Sequence, residues 1–369
     1  MLINRSGAMV LPFLGIYLNH ELGYSLTQAG IIMTFFGIGS FLGAFFGGIL
    51  TDRIGFFHVQ WISLLGSAIA FYAMIWIEDF YMLCFGVFMI SFIADHFRPA
   101  NWTAMEVFST PETMVRSVSL IRLAVNLGYA IGPMVGGIVS GLLGYYMLFI
   151  LNGSSVLIGC IVLVILFRNK QRKVIPKERT SKTQLPWKDK SYVLYLIPFT
   201  ILITIFLQLV FTIPVFFKSE YGFDEFTIGV LMAINGGLIF LIEMPIIYFF
   251  ESRKAPRYWV FLGGVFIALS FVALILNVNL LLAAVLFTLL ISVGEIISFP
   301  FSSTLALNYS NDENRGKYMG LYTMTFSFAS IVAPGIGLSF SESYGFDMLW
   351  LLSAIIAFIS SVLILKIKS

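Results

Sequence analysis

Residues 145–167 read YYMLFILNGSSVLIGCIVLVILF, and no charged side chain interrupts them. A helix needs about 20 such residues to cross the hydrocarbon layer of a bilayer. Runs of this kind recur from one end of the chain to the other. Charged residues make up only 11% of the 369, and hydrophobic residues 59%, where a soluble domain carries about 25% charged residues. No soluble fold hides that much apolar surface, so the bulk solvent of this chain is lipid. Only helices and closed barrels satisfy their backbone polar groups there. The runs are too long for barrel strands and lack period-2 alternation. The expected fold class is therefore all-α integral membrane.

Twelve spans fit the length rule, at about 1–19, 26–50, 59–77, 80–104, 114–142, 145–168, 191–217, 225–250, 258–276, 279–306, 315–340 and 346–366. Basic residues collect on the cytoplasmic side of membrane proteins. With the loop after span 2 placed there, that side receives Arg53, Arg116, Arg253, Lys254, Arg257, Arg315, Lys317, Lys366 and Lys368. It also receives the one long polar stretch, NKQRKVIPKERTSKTQLPWKDK at 169–190. The opposite side has Lys218 against Glu21, Glu78, Asp79, Glu220, Asp224, Glu342 and Asp347. The expectation is a multi-pass protein of the inner (plasma) membrane with both termini cytoplasmic. It divides into a six-helix bundle at 1–168, a cytoplasmic linker at 169–190 and a second six-helix bundle at 191–369.

The two bundles read as copies. At an offset of 199, Glu21 meets Glu220, Gly23 meets Gly222, Gly30 meets Gly229, Asp52 meets Glu251 and Arg116 meets Arg315. At 201, Pro133 meets Pro334 and Gly144 meets Gly345. Apolar matches between spans are cheap, but polar, Gly and Pro matches in register are not. Duplicated halves of this kind build transporters whose binding site lies between the repeats near the midplane.

Several chemistries are absent from the sequence. The net charge of +3 sits in short loops between spans, which argues against nucleic-acid binding. Cys84 and Cys160 both lie inside apolar runs and read as small hydrophobes, with no disulfide or metal framework. No Gly-x-x-x-x-Gly-Lys-Ser/Thr loop is present to cradle ATP, and no hydrolytic or redox constellation is visible. The chain reads as no enzyme, with no cofactor and no metal.

Two motifs carry a family resemblance. The loop GGILTDRIGFF, with Gly48, Asp52, Arg53 and Gly55 in register, resembles the signature loop of the major facilitator superfamily. It departs from that pattern at Phe56 and Phe57, where the family has basic residues. The resemblance implies a conformational latch: Asp52 caps a neighbouring helix, Arg53 pairs with Glu106, Gly48 lets helices approach and Gly55 makes the turn. In span 5, RLAVNLGYAIGPMVGGIVSG places Gly128, Gly132, Pro133, Gly136 and Gly137 at spacings that resemble the family's drug:proton antiporter (multidrug-resistance-type) branch. Small residues there make a close-packing face and Pro133 bends the helix. The Asn4-Arg5-Ser6-Gly7 and Pro12-Phe13 pattern arrives earlier than in the family, so span 1 is expected to be truncated or unusually short.

Ionisable residues inside a span are costly and point to function. The inventory is Arg5, Asp95, His96, Arg98, Arg122, Glu243 and Glu295. Buried charges balanced in this way are expected to be paired. Spans 4 and 5 form a hairpin about Pro111, which sets Arg98 and Arg122 at similar depth and Asp95 one turn deeper on the Arg98 face. The sequence leaves open whether this cluster is a fixed brace or a switch. Glu243, next to Pro245, is either a proton site or a prop for freed backbone. His96 reads as packing. Asp95, Glu243 and Glu295 are the candidate proton-coupling acids, with Arg5, Arg98 and Arg122 as charge partners. Aromatic walls for the substrate cavity are expected from Tyr17, Phe36, Trp102, Tyr129, Phe211 and Tyr322.

These features together give the expected function. It is a secondary transporter working as a monomer, with protons as coupling ion, exporting small lipophilic or amphiphilic compounds by alternating access. A proton symporter for a metabolite, a lipid flippase, and a receptor or scaffold on the same fold are the alternatives.

Overall fold

The computed structural model describes residues 9–110, 113–168, 185–251, 253–276, 279–311 and 314–367, apart from the side chains of Glu106, Met114, Val115, Arg116, Val118, Ser119 and Arg122. Among the described residues every regular element is helical. Among the described residues, eleven helices are long and apolar enough to cross a membrane. Span 2 runs Leu26–Ile54, span 3 Phe56–Ala73, span 5 Met114–Leu143, span 6 Tyr146–Phe167 and span 8 Glu225–Phe250. Spans 9 to 12 run Pro256–Ile275, Leu280–Asn308, Arg315–Tyr344 and Phe346–Lys366. These bounds fall within a few residues of those read from hydropathy.

Three spans are broken, and the breaks are local chemistry. Span 1 is described from Met9; its helix Val10–Ile16 widens into a π-turn at Tyr17–Glu21. Span 4 stops at Asp95 and resumes at Phe97–Phe108. Pro99 has no N–H to offer the Asp95 carbonyl four residues earlier, so the helix is interrupted there rather than at Pro99 itself. Span 7 is divided into Lys190–Phe206, Gln208–Phe211 and Ile213–Ser219.

The internal duplication is visible in backbone geometry. Gly23 and Gly222 turn with φ of 71° and 66°, and Gly144 and Gly345 with 87° and 82°. Each pair closes the same turn at the offsets the sequence shows. Such φ values cost a side chain energy that glycine avoids. Ser25 and Asp224, again 199 apart, both cap the span that follows them. Pro133 and Pro334 both sit inside helices.

Glycine faces set the packing. On span 2, Gly39, Gly43 and Gly47 lie one turn apart against span 4. A Cβ at those positions would fall 2.4 Å from the Phe88 carbonyl oxygen, 2.2 Å from the Phe92 carbonyl oxygen and 2.6 Å from His96 Cα. The signature-loop Gly48 has nothing within 4 Å of its Cβ position. This corrects the expected close approach at Gly48: the helix turns that residue away from span 4, and Gly47 makes the contact.

Other glycines join the two halves. Span 2 meets span 11 through Gly30 on the Pro334 carbonyl and Gly37 on Ser330 and Ile331. Span 5 meets span 8 through Gly137, whose Cβ would fall 2.3 Å from the Glu225 carbonyl oxygen, and through Gly229 on the Pro133 carbonyl. Gly136 instead receives Met9 and Phe13 of span 1. Gly30, Gly137 and Gly229 lie toward the end of the molecule that carries Glu21, Glu225 and Glu342, here called the acidic end. The end with Asp52 and Arg53 is the basic end.

Candidate functional site

Between the halves lies a cavity of about 480 Å³. Its walls are mainly apolar, with Phe36, Phe71 and Phe149 from one half and Phe206, Phe211 and Phe326 from the other. A polar annex of about 290 Å³ shares Asn126, Glu295 and Phe299 with it and adds Glu243 and Ser303.

One polar pole belongs to span 4, where the helix break places Asp95. Arg98 Nη2 lies 2.9 Å from Asp95 Oδ1. The Ser40 hydroxyl of span 2 donates to the other carboxylate oxygen, Oδ2. Asp95 is thereby satisfied on both oxygens, and both Asp95 and Arg98 line the cavity. The Arg98 side chain is 36% exposed, and among the described residues Asp95 takes its one hydrogen bond. His96 points away: its Nδ1 lies 2.6 Å from the Phe92 carbonyl oxygen and its ring stands edge-on to Phe92. That is the packing role read from the sequence.

A second pole belongs to span 10. Asn235 of span 8 donates through Nδ2 to Glu295 Oε2 at 3.2 Å and to Ser292 Oγ at 3.0 Å. Glu295 faces both cavity and annex. Among the described residues it has no ion pair. The repeat explains the asymmetry. Glu295 stands 200 positions after Asp95, and Pro300 stands 201 after Pro99, so the two acids occupy matching places in the halves. At the offset of the prolines, Arg98 corresponds to Phe299. The first acid thus has a guanidinium one turn away, and the second has a phenyl ring.

Glu243 is buried in span 8 and accepts a hydrogen bond from Asn126 Nδ2 of span 5 at 3.3 Å. This bond crosses from one half to the other. Arg5 and the side chains of Arg122 and Glu106 lie outside the described residues, so the expected third member of the Asp95 cluster and the expected Arg53 partner do too. Asp52 and Arg53 are exposed and, among the described residues, make no hydrogen bond or ion pair. Among the described residues Asp52 caps no helix; span 11 begins at Arg315, and its N-cap residue, Asn314, makes no side-chain cap hydrogen bond. Gly55 does close the turn, with φ of 85°.

Three of the six expected aromatic residues line the cavity: Phe36, Tyr129 and Phe211. Three do not. Tyr17 is buried against Tyr145 and Phe149. Tyr322 stacks on Phe199 and shares a 2.6 Å hydrogen bond with Ser302 inside the second half. Trp102 lies beyond the span 4 break and is 49% exposed. The span 5 residues keep their packing role: Gly128 and Gly132 are buried, Gly136 and Gly137 hold neighbours, and Pro133 also borders the cavity. Sequence reasoning missed Ser40, Asn126 and Asn235. The available signal was an amide or hydroxyl within an apolar run, which seeks a partner just as a charge does.

The acidic end is fastened across the halves at two points. Tyr145 of the first half donates its hydroxyl to Glu225 Oε1 at 2.5 Å, and Lys218 Nζ lies 2.8 Å from the same oxygen. Glu342, near the end of span 11, accepts from the Thr27 N–H at 2.7 Å and the Ser25 hydroxyl at 3.3 Å, at the start of span 2. A carboxylate at a helix N-terminus is favoured by the exposed N–H groups there.

Comparison with known proteins adds the following. The sequence profile of the Major Facilitator Superfamily matches residues 2–310 and 254–368. An uncharacterised MFS-type transporter of Bacillus subtilis, YttB, is 25% identical over 98% of this chain and 91% of its own length. A Na(+), Li(+), K(+)/H(+) antiporter of Planococcus maritimus is 22% identical over 97% of this chain and 91% of its own. The quinolone resistance protein NorA of Staphylococcus aureus is 23% identical over 88% and 84%. In structure, the chain superposes on a crystal structure of a POT family transporter in complex with 5-aminolevulinic acid. The TM-score is 0.83 at 15% identity, covering 100% of this chain and 95% of that one.

Proposed function

The chain belongs to the major facilitator superfamily, and on that premise we propose that it is a proton-coupled antiporter exporting small amphiphilic compounds. That it is a membrane transporter and not an enzyme follows from the family and its relatives. The finer reading is carried by one observation: Glu295 faces the central cavity with an amide on one oxygen and, among the described residues, no cation. A buried carboxylate without a counter-charge is held by a proton or by a cationic ligand. Proton and ligand then compete for one group, and such competition makes the exchange obligatory. Asp95, already paired with Arg98, serves as the fixed pole, and Glu243 as a second proton site that senses the other half through Asn126.

The proposed transport cycle uses the duplication. The bundles at 1–168 and 191–369 rock about the cavity, joined by the 169–190 linker, and the protein works as a monomer. In this reading the basic end faces the cytoplasm of a plasma membrane, which the Lys and Arg distribution supports. The described conformation is fastened at the acidic end, so it is the state that loads substrate from inside. Two relatives, a Na(+), Li(+), K(+)/H(+) antiporter and a quinolone resistance protein, are consistent with proton exchange and with drug-like substrates.

Purified protein in proteoliposomes with an imposed pH gradient tests this. The expected result is movement of a quinolone against the direction of proton flow. Movement with the protons makes the protein a symporter, and transport indifferent to the gradient removes the coupling.

A further inference from the structure

We propose that the cavity is built for amphoteric substrates, molecules with an ammonium group at one end of a flat apolar body and a carboxylate at the other. The proposal rests on the transport reading above and adds to it the chemical class of the cargo and the residues that select it. The two polar poles lie on different halves and line one cavity. They differ in what they can still bind.

The Glu295 pole offers an acceptor. One carboxylate oxygen receives the Asn235 amide, and the annex beside it holds a second carboxyl, Glu243, and the Ser303 hydroxyl. Among the described residues, no cationic group lines either space apart from Arg98 across the cavity. An ammonium group would bring Glu295 a charge and several donors together.

The Arg98 pole offers donors. A guanidinium carries five N–H groups in a planar fork. Asp95 takes one of them. The second Asp95 oxygen is satisfied by Ser40, so Asp95 does not need the rest of the fork. The side chain is 36% exposed and turned toward the cavity. An arginine bridging a fixed carboxylate and a ligand carboxylate uses its geometry well, because two-point N–H···O contacts to an anion are the strong ones. A purely cationic substrate would leave these donors facing the apolar space between the phenyl rings, at the cost of unpaired polar groups. The rings of Phe36, Phe206 and Phe326 line the same cavity, which suits a flat aromatic body.

The test is equilibrium binding to the purified, detergent-solubilised full chain, with no gradient. The probes are ciprofloxacin, which carries a carboxylate and a secondary ammonium on one aromatic body, its methyl ester, which lacks the carboxylate, and its N-acetyl derivative, which lacks the ammonium. The wild-type protein is expected to bind the parent about tenfold more tightly than either derivative. In Arg98→Gln the parent and the ester should bind alike, while the N-acetyl derivative remains weak. In Glu295→Gln the parent and the N-acetyl derivative should bind alike, while the ester remains weak. If Arg98→Gln does not fold, Arg98→Lys keeps a charge without the fork and should narrow the gap between parent and ester. Equal binding of parent and ester by wild-type protein overturns the proposal, as does loss of the same preference in both variants. Failure of coupled transport with this pattern intact would count against the antiport reading and leave the amphoteric site standing.

Discussion

At the residue scale, the two matching acids have opposite surroundings, and their variants should differ accordingly. Asp95→Asn leaves Arg98 beside a neutral amide. Its partly exposed side chain keeps the loss of stability modest, on the order of 1 kcal/mol. The double variant Asp95→Asn/Arg98→Gln should recover part of that loss, and a thermal-unfolding cycle over the four proteins measures the coupling. Equal losses that simply add would show the pair to be inert. Glu295→Gln should leave folding intact, abolish uptake driven by a pH gradient and retain exchange of substrate at equal pH. Full gradient-driven uptake by this variant would contradict its proposed role. The sequence made the acids legible because charges stand out in apolar runs. It did not show Asn126 and Asn235, whose importance lies in facing a carboxyl on another helix. It also could not separate Phe36 from Tyr322, since both aromatics suit an apolar span and only helix rotation decides which one meets the cavity.

At the scale of elements, glycine faces decide how closely helices approach, and their variants test that directly. Gly43→Leu would drive a side chain into the Phe92 backbone, where even a Cβ falls at 2.2 Å. Spans 2 and 4 would have to separate, and the Ser40–Asp95 contact with them. A loss of thermal stability of several degrees is expected, whereas Gly48→Leu, at a position with open space around it, should change little. The reverse ranking would mean that the glycine register is misplaced. The two neighbouring glycines cannot be ranked from a family motif alone; the face presented to span 4 fixes the choice. Asp224 gives a smaller, pH-dependent test. Hydrogen bonds from Thr227 hold its carboxyl below the usual range. Its capping contribution is therefore complete above the unfolded-state value, near pH 4, and is lost as the pH falls further. Asp224→Asn should flatten that part of the stability profile, and an unchanged acid limb would show the cap to be unimportant.

At the scale of the whole molecule, the acidic-end fastenings join the two halves through Tyr145 to Glu225 and Thr27 to Glu342, and in the proposed cycle they mark one position of the halves. Spans and duplication could be read from the sequence because they depend on composition and spacing. The fastenings could not be, because Tyr145 and Glu225, or Thr27 and Glu342, meet only after the halves are assembled. Tyr145→Phe combined with Glu342→Gln removes a donor at one fastening and the charge at the other, without touching the cavity. The expected outcome is greater labelling of a cysteine placed at Phe211 by an impermeant thiol reagent added from the acidic side. Unchanged labelling would mean that glycine packing alone holds that end shut.

In the proposed mechanism a proton and a substrate exclude one another at Glu295. Binding that displaces a proton must release it, and the reciprocity of linked equilibria makes the release measurable without transport. The most direct measurement is proton release into weakly buffered solution, read by a pH-indicator dye, when ciprofloxacin is added to the purified protein near neutral pH. The wild-type protein is expected to release about one proton per bound molecule, and Glu295→Gln none. Equal release by both proteins, or none by the wild type, would contradict it.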